Sequence, residues 1–309
     1  MLPDNLSRFS IGTAAYGTGL SKETSFSILD AYMQAGGNFI DTAAVYGFGE
    51  SEKVIGEWMK KKSNRGNVFV ATKGAHPSLP DWKSRLSEVD IRSDIEASLS
   101  FLQTDYIDLY FLHRDDLALP VEEIMPVLDK LVKEGKTRFI GASNWSAERI
   151  NEANEFAEKN GLAQFSASQI LWNGAVINKD GMDKIDPTRA IMDEKEHFLY
   201  AENKIPVMAY TSQAKGLFDH IKNKGYDNLS EYYKDVYVND GTKRRAEKIF
   251  AVSERTRLSP TVISLAYLIY DKEIMAYPII GTSKTERFGE IVKVLCLSRE
   301  DIEFLFEEV

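Results

Sequence analysis

Short apolar runs alternate along the chain with stretches whose apolar residues recur three and four positions apart. Runs rich in β-branched and aromatic residues occupy 8–13, 38–43, 68–73, 106–113, 137–143, 164–170, 206–210 and 275–281, and each predicts a buried strand. Helical spacing fills the intervals. In 24–35 the apolar positions are Phe26, Ile28, Leu29, Tyr32 and Met33, and similar patterns predict helices over 52–61, 89–102, 121–134, 147–160, 189–203 and 260–271. Punctuation agrees. Ser146 stands where an N-cap belongs, and Gly36, Gly135 and Gly161 follow helices at the position where a left-handed residue closes them. Eight strands alternating with helices over 309 residues predict an α/β fold, a (β/α)8 TIM barrel, with an open doubly wound sheet as the rival arrangement.

No linker rich in Pro, Gly or Ser interrupts the pattern, so residues 1–309 are expected to form a single domain. Two stretches are longer than a connection needs: 171–188 after the sixth strand and 211–242 after the seventh. Both are expected to be lids. An extra helix is expected over 298–309, packing through Ile302, Leu305 and Phe306.

Composition removes several classes of function. Lysine and arginine total 38 against 47 aspartates and glutamates, a net charge of −9, so nucleic acid is not an expected partner. The single cysteine, Cys296, permits no internal disulfide and suits a reducing compartment. No secretory signal is visible at the N-terminus, and no apolar run approaches the ~18 residues that span a bilayer. A cytoplasmic protein, monomeric or weakly homo-oligomeric and without membrane contact, is expected. The histidines, His76, His113, His197 and His220, show no metal-ligand spacing, so no metal is expected.

Candidate chemistry sits where strand patterns end. Asp41, Tyr46, Lys73 and His113 each lie at or just past the end of an apolar run, and in a parallel barrel those ends converge. Reduction of a ketone leaves an alkoxide that a donor must protonate. Tyrosine can donate, a nearby ammonium should lower its pKa, and a buried ammonium needs a carboxylate partner. Tyr46, Lys73 and Asp41 supply that set, and His113 can hydrogen-bond the substrate oxygen. Lys73 could instead serve a barrel isomerase or aldolase as base or Schiff-base nucleophile.

The segment Gly36-Gly-Asn-Phe-Ile-Asp-Thr-Ala-Ala-Val-Tyr-Gly-Phe-Gly-Glu-Ser-Glu52 resembles the signature of the aldo-keto reductase superfamily. The likeness continues through 71–73, 105–113, 141–144 and 278–287. It implies that Asp41, Tyr46, Lys73 and His113 form a catalytic tetrad and that NADP(H) is the cofactor. No Rossmann fingerprint is present: Gly17-Thr-Gly19 and Gly47-Phe-Gly49 both lack the third glycine. A barrel can hold phosphate after its last strands, where Gly281, Ser283, Lys284 and Arg287 lie. The resemblance assigns these to the 2′-phosphate, Ser143, Asn144 and Gln169 to the nicotinamide carboxamide, and Tyr210 to the nicotinamide ring. Ser212, Gln213 and Gly216 are assigned to the loop over the pyrophosphate. Glu290 falls near the adenine, although many relatives read Glu-Asn where this chain has Glu290-Ile291.

A small carbonyl compound is the expected substrate, met by His76, Arg114, Trp145 and Trp172, with Trp82 also close in sequence to the third strand. Asp115 and Asp116 could neutralise Arg114. Some relatives in the superfamily bind NADP while regulating a membrane channel, so a redox-sensing module is the other implied role.

Overall fold

β-Branched and aromatic runs form the strands, and capped amphipathic segments form the helices between them. The computed structural model describes residues 2–307. In chain order the first elements are β1 (Ser10–Gly12), α1 (Lys22–Gln34), β2 (Phe39–Asp41), α2 (Glu50–Lys62), β3 (Phe69–Gly74), α3 (Glu88–Leu102) and β4 (Ile107–Leu112). There follow α4 (Val121–Lys133), β5 (Thr137–Ser143), α5 (Ala147–Lys159), β6 (Phe165–Leu171), α6 (Lys179–Asp183), α7 (Glu194–Asn203) and β7 (Val207–Tyr210). The last are α8 (Leu217–Lys224), α9 (Glu231–Tyr237), α10 (Asp240–Thr256), α11 (Pro260–Ser264), α12 (Ala266–Ile269), β8 (Ala276–Ile280), α13 (Arg287–Ile291) and α14 (Arg299–Phe306). The strands run in sequence order from β1 to β8 around a closed barrel, not an open sheet.

Two compact units are distinguished. The first runs to Gln169 and takes in Gly281–Thr285; the second is Ile170–Ile280 with the residues from Glu286 onward. In the first unit the parallel register sets Gly12 beside Asp41, Asp41 beside Ala71, Lys73 beside Phe111 and Ser143 beside Gln169. Every residue of β3 and β4 is buried, as expected of parallel strands covered on both faces. Helix ends follow their side chains. Ser21, Ser87 and Ser146 accept from the backbone N–H three residues on, and Gly36, Gly135 and Gly161 take φ of 87°, 73° and 63° past helix ends.

In the second unit β7 pairs parallel with β8, and the expected lids prove to be built structure. Residues 211–242 carry α8 and α9 and the start of α10. They are tied to the 171–188 segment: Val176 N–H donates to Thr242 Oγ1 at 3.0 Å, Asn178 N–H to Val236 O at 2.7 Å, and Asn239 Nδ2 to Val176 O at 2.9 Å. Helix α10 has no counterpart in the sequence pattern. Its buried side is only Thr242, Ala246, Ile249, Val252 and Ser253, set among charged residues, and such a narrow stripe gives little apolar periodicity. The helix expected from 189 starts at Glu194, because Asp193 caps it and Leu171 bridges to Ile191 instead. The helix expected over 260–271 breaks at Leu265 into α11 and α12. The final helix ends at Phe306; of its expected span, 308–309 lie outside the described residues. Leu305 is buried and Phe306 rests on Tyr267, with ring centroids 5.4 Å apart.

Helix α2 reaches α3 through a glycine. A Cβ on Gly56 would lie 2.4 Å from Phe101 O and 2.9 Å from Leu102 Cα, both backbone atoms. Gly56→Ala should therefore cost about 1–3 kcal/mol through overpacking. Urea unfolding should show a lower midpoint at unchanged slope. An unchanged midpoint would mean that α2 can withdraw from the end of α3 without loss.

Candidate active site

Lys73 is the centre of the first unit's polar core. It sits at the end of β3, only 1% exposed, and its ammonium lies 3.0 Å from both carboxylate oxygens of Asp41, the last residue of β2. The same Nζ donates to Thr42 O at 2.7 Å and to the Tyr46 hydroxyl at 3.2 Å. Gln169 on β6 donates from Nε2 to Asp41 Oδ1 at 2.8 Å. His113 follows β4, its backbone N–H held by Gly74 O at 2.9 Å, and its ring meets that of Tyr46 in a T-shaped contact with centroids 6.2 Å apart. All four groups picked out at strand ends thus converge. Two supporting contacts had no signal in the side-chain pattern: the Thr42 carbonyl, which any residue type supplies, and the Gln169 bond, which needs β6 brought near β2.

Burial and charge set the protonation states. Burial would lower the pKa of Lys73, but Asp41 and the Tyr46 oxygen reverse this and raise it. An amine held protonated lacks the lone pair a Schiff base requires, which argues against the aldolase chemistry. Burial likewise raises Asp41, against the pull of Lys73 and Gln169. Lys73 acts on Tyr46 in the expected direction, but a second effect opposes it. Lys73 does pull the phenol down, but burial outweighs it and the net shift is upward. Burial first, then the charges of Lys73 and Arg114, hold His113 well below its ordinary value of 6.5. At neutral pH the site presents a neutral phenol and a neutral imidazole beside one buried ion pair.

Residues expected to meet the substrate separate into two kinds. His76 is near the centre, its ring T-shaped to that of His113 at 4.9 Å, and Trp82 lies 5.9 Å beyond it with its indole half exposed. Arg114 is buried and donates from Nη1 to His113 O at 3.0 Å; Asp115 faces Arg149 at 3.6 Å. The Trp145 indole is fully buried against Phe165 at 5.4 Å, with the Arg149 guanidinium 5.4 Å from the ring, so it packs in the core. Trp172, in the second unit, is also buried and meets His197 edge-on at 6.2 Å.

The expected cofactor residues are placed as follows. Ser143 and Asn144 are buried, Asn144 at φ 58°, and the Asn144 amide donates to Ser143 Oγ at 3.1 Å and to His113 O at 3.3 Å. Ser143 retains its O–H to donate. Gly281 has open space where a Cβ would be, and Ser283 and Lys284 are exposed in a turn closed by Thr282 Oγ1, which accepts from Lys284 N–H at 3.0 Å. Among the described residues neither Lys284 nor Arg287 is in an ion pair. In the second unit Tyr210 ends β7, half-buried. Thr211, Ala214, Lys215 and Gly216 all take positive φ, which lifts backbone N–H groups out of regular structure. The Ser212 hydroxyl is buried and donates to Ile279 O at 2.6 Å, and the Glu290 carboxylate accepts from Ser259 N–H at 2.6 Å, so each side chain has a partner within the fold.

A model of the aldo/keto reductase family matches residues 8–306. The chain belongs to the aldo/keto reductase family. Among curated relatives, norsolorinic acid reductase B of Aspergillus parasiticus is 33% identical over 302 residues, covering 92% of this chain and 73% of its own. The probable aryl-alcohol dehydrogenase AAD4 of Saccharomyces cerevisiae is 31% identical, covering 93% and 88%. Aldo-keto reductase ausK of Aspergillus calidoustus is 29% identical, covering 98% and 77%. The protein is therefore an oxidoreductase of the carbonyl-reducing kind, from a family that works with nicotinamide cofactors. No helix among the described residues is long and apolar enough to cross a membrane.

One buried carboxylate in this aldo/keto reductase stands outside the expected set. Glu52 on α2 is fully buried, accepts from Thr72 Oγ1 at 2.5 Å, and has its pKa pushed up by burial to about 7. The unfolded chain would titrate it near 4.5. Between those values the folded state binds more protons, so stability falls as pH rises through that window. Glu52→Gln keeps the acceptor for Thr72 and removes the titration. It should equal wild type near pH 4 and gain up to about 3 kcal/mol on it by pH 8. Denaturant midpoints at the two pH values measure this, and a gap independent of pH would exclude Glu52 as the linked group.

Proposed function

We propose that the protein reduces aldehydes or ketones to alcohols with NADPH, Tyr46 acting as proton donor. The observation that carries this reading is the Lys73 ammonium shared between the Asp41 carboxylate and the Tyr46 hydroxyl at 3.2 Å. A phenol kept protonated by burial holds its proton until charge builds on the substrate oxygen. Tyr46 then gives it up, and Lys73 stabilises the phenolate that remains. Neutral His113 donates an N–H to the same oxygen and orients the carbonyl. Asp41, itself held by Gln169, keeps Lys73 charged. The hydride comes from NADPH when it is bound.

Ser143, Asn144 and Gln169 would hold the nicotinamide carboxamide, since an amide is read by groups that both donate and accept. Tyr210 would face the nicotinamide ring, and the backbone around Gln213 and Gly216 would meet the pyrophosphate. Gly281, Ser283, Lys284 and Arg287 would hold the 2′-phosphate. The name of the yeast relative, a probable aryl-alcohol dehydrogenase, supports aryl aldehydes and aryl alcohols as the substrate pair to try first.

Tyr46→Phe should lower kcat by at least ~10²-fold while leaving NADPH affinity nearly unchanged. Near-normal reduction of an aryl aldehyde by this variant would sink the assignment.

Cofactor choice is tested separately. Charge-assisted hydrogen bonds from Lys284 and Arg287 to a 2′-phosphate are worth ~1.5–3 kcal/mol each, so NADPH should bind at least ~10-fold more tightly than NADH. Arg287→Ala should weaken NADPH selectively and flatten the salt dependence of its binding. Fluorescence titration at two salt concentrations reads both effects; equal losses for NADPH and NADH would move the phosphate site elsewhere.

A further inference from the structure

His113 is held in place without a hydrogen bond to its ring nitrogen Nδ1. That atom is buried and has no partner among the described residues. A histidine that acts on a substrate commonly has one ring nitrogen tied, since that bond fixes both tautomer and orientation. Here packing takes its place. The imidazole meets Tyr46 at an interplanar angle of 83° and His76 at 84°, with the His76 centroid only 4.9 Å away.

His76 is itself immobilised. Its Nδ1 lies 2.8 Å from Pro77 O, which makes Nδ1 the protonated nitrogen and fixes the tautomer. Trp82 packs beside it, centroids 5.9 Å apart and planes tilted by 41°. The segment carrying these rings is bent to place them. Ala75 takes φ 57° and Trp82 φ 52°, in a region that residues with a Cβ seldom adopt. The Ala75 N–H is pinned by Asp94 Oδ2 at 2.7 Å, and Asp94 is clasped by both terminal nitrogens of Arg85.

We propose that His76 is a positioning residue: its ring, backed by Trp82, holds the His113 imidazole square to Tyr46 and keeps water from His113 Nδ1. This rests on the reading of Tyr46 and His113 as the groups that meet the carbonyl oxygen. The ring's shape and its seat are what matter, so another flat ring should serve and a small side chain should not. The ionisable groups that face His113 are Lys73 from β3, Tyr46 from the turn after β2, His76, and Arg114 next in sequence. Loss of the His76 ring would admit water among them, and His113 would then titrate closer to 6.5.

His76→Ala and His76→Phe in the full-length protein test this. Two readouts are needed: kcat and KM for an aryl aldehyde, and the titration of His113 followed by NMR without substrate or cofactor. His76→Ala should lower kcat about tenfold with NADPH affinity unchanged, and His76→Phe should recover most of that loss. His113 should titrate nearer 6.5 in the alanine variant and remain neutral to lower pH in the phenylalanine one. If His76→Phe is as impaired in kcat as His76→Ala while His113 titrates as in wild type, the imidazole nitrogens act directly and positioning is overturned. It is overturned equally if His76→Ala leaves both kcat and the His113 titration at wild type. Should His76→Ala not fold, Trp82→Ala removes the backing from a half-exposed site and is judged on the same two readouts. The NMR titration needs no turnover. A wild-type protein inactive on every carbonyl compound would thus defeat the proposed function while the fate of His76 is still decided.

Discussion

Burying an ammonium costs several kcal/mol unless it is paired and its hydrogens are bonded, and the polar core of this barrel is organised around meeting that demand for Lys73. The Asp41 carboxylate, the Thr42 carbonyl and the Tyr46 oxygen all converge on its Nζ. Asp41 needs support in turn, which Gln169 gives from β6. One buried charge thus requires side chains from β2, β3, β6 and the turn after β2 to meet with hydrogen-bond accuracy. The groups that stabilise this arrangement are the same ones that would do the chemistry. A substitution there changes stability and reactivity together, because removing either partner of a buried pair leaves an uncompensated charge.

The surrounding burial acts in opposite directions on acids and bases, and that produces the protonation pattern. It lifts the phenol of Tyr46 and depresses the imidazole of His113, so both are neutral at the same pH. Two neutral donors beside a fixed cation form a preorganised environment for an oxygen on which negative charge develops. Solvated versions of the same residues would titrate closer to their ordinary values and would have to reorganise as charge develops.

Loop length was a poor guide to regular structure, since the two long connections carry helices of their own. The 171–188 and 211–242 segments spend their polar side chains on each other's backbone, with Asn178, Asn239 and Thr242 making the links. Such bonds answer the requirement that buried backbone groups be paired, and they turn long connections into structure. In the first unit, by contrast, Phe48, Leu79 and Trp82 stand exposed on the segments after β2 and β3.

The sequence by itself determined the barrel and the identity of the four central groups. Parallel strands buried on both faces must be short, continuous apolar runs, so their ends are legible, and an ionisable residue at such an end stands out against them. It also carried the helix cap at Ser146, because a cap is a local bond between residues three apart. Tertiary structure alone decided what depends on neighbours distant in the chain. It turned Trp145 inward, gave the Ser212 hydroxyl to Ile279 O, gave the Glu290 carboxylate to Ser259, and formed α10 from a stripe too narrow to read. It also set burial of Tyr46 against the expected pull of Lys73, since residue types reveal a charge beside a phenol but not the depth of burial that outweighs it.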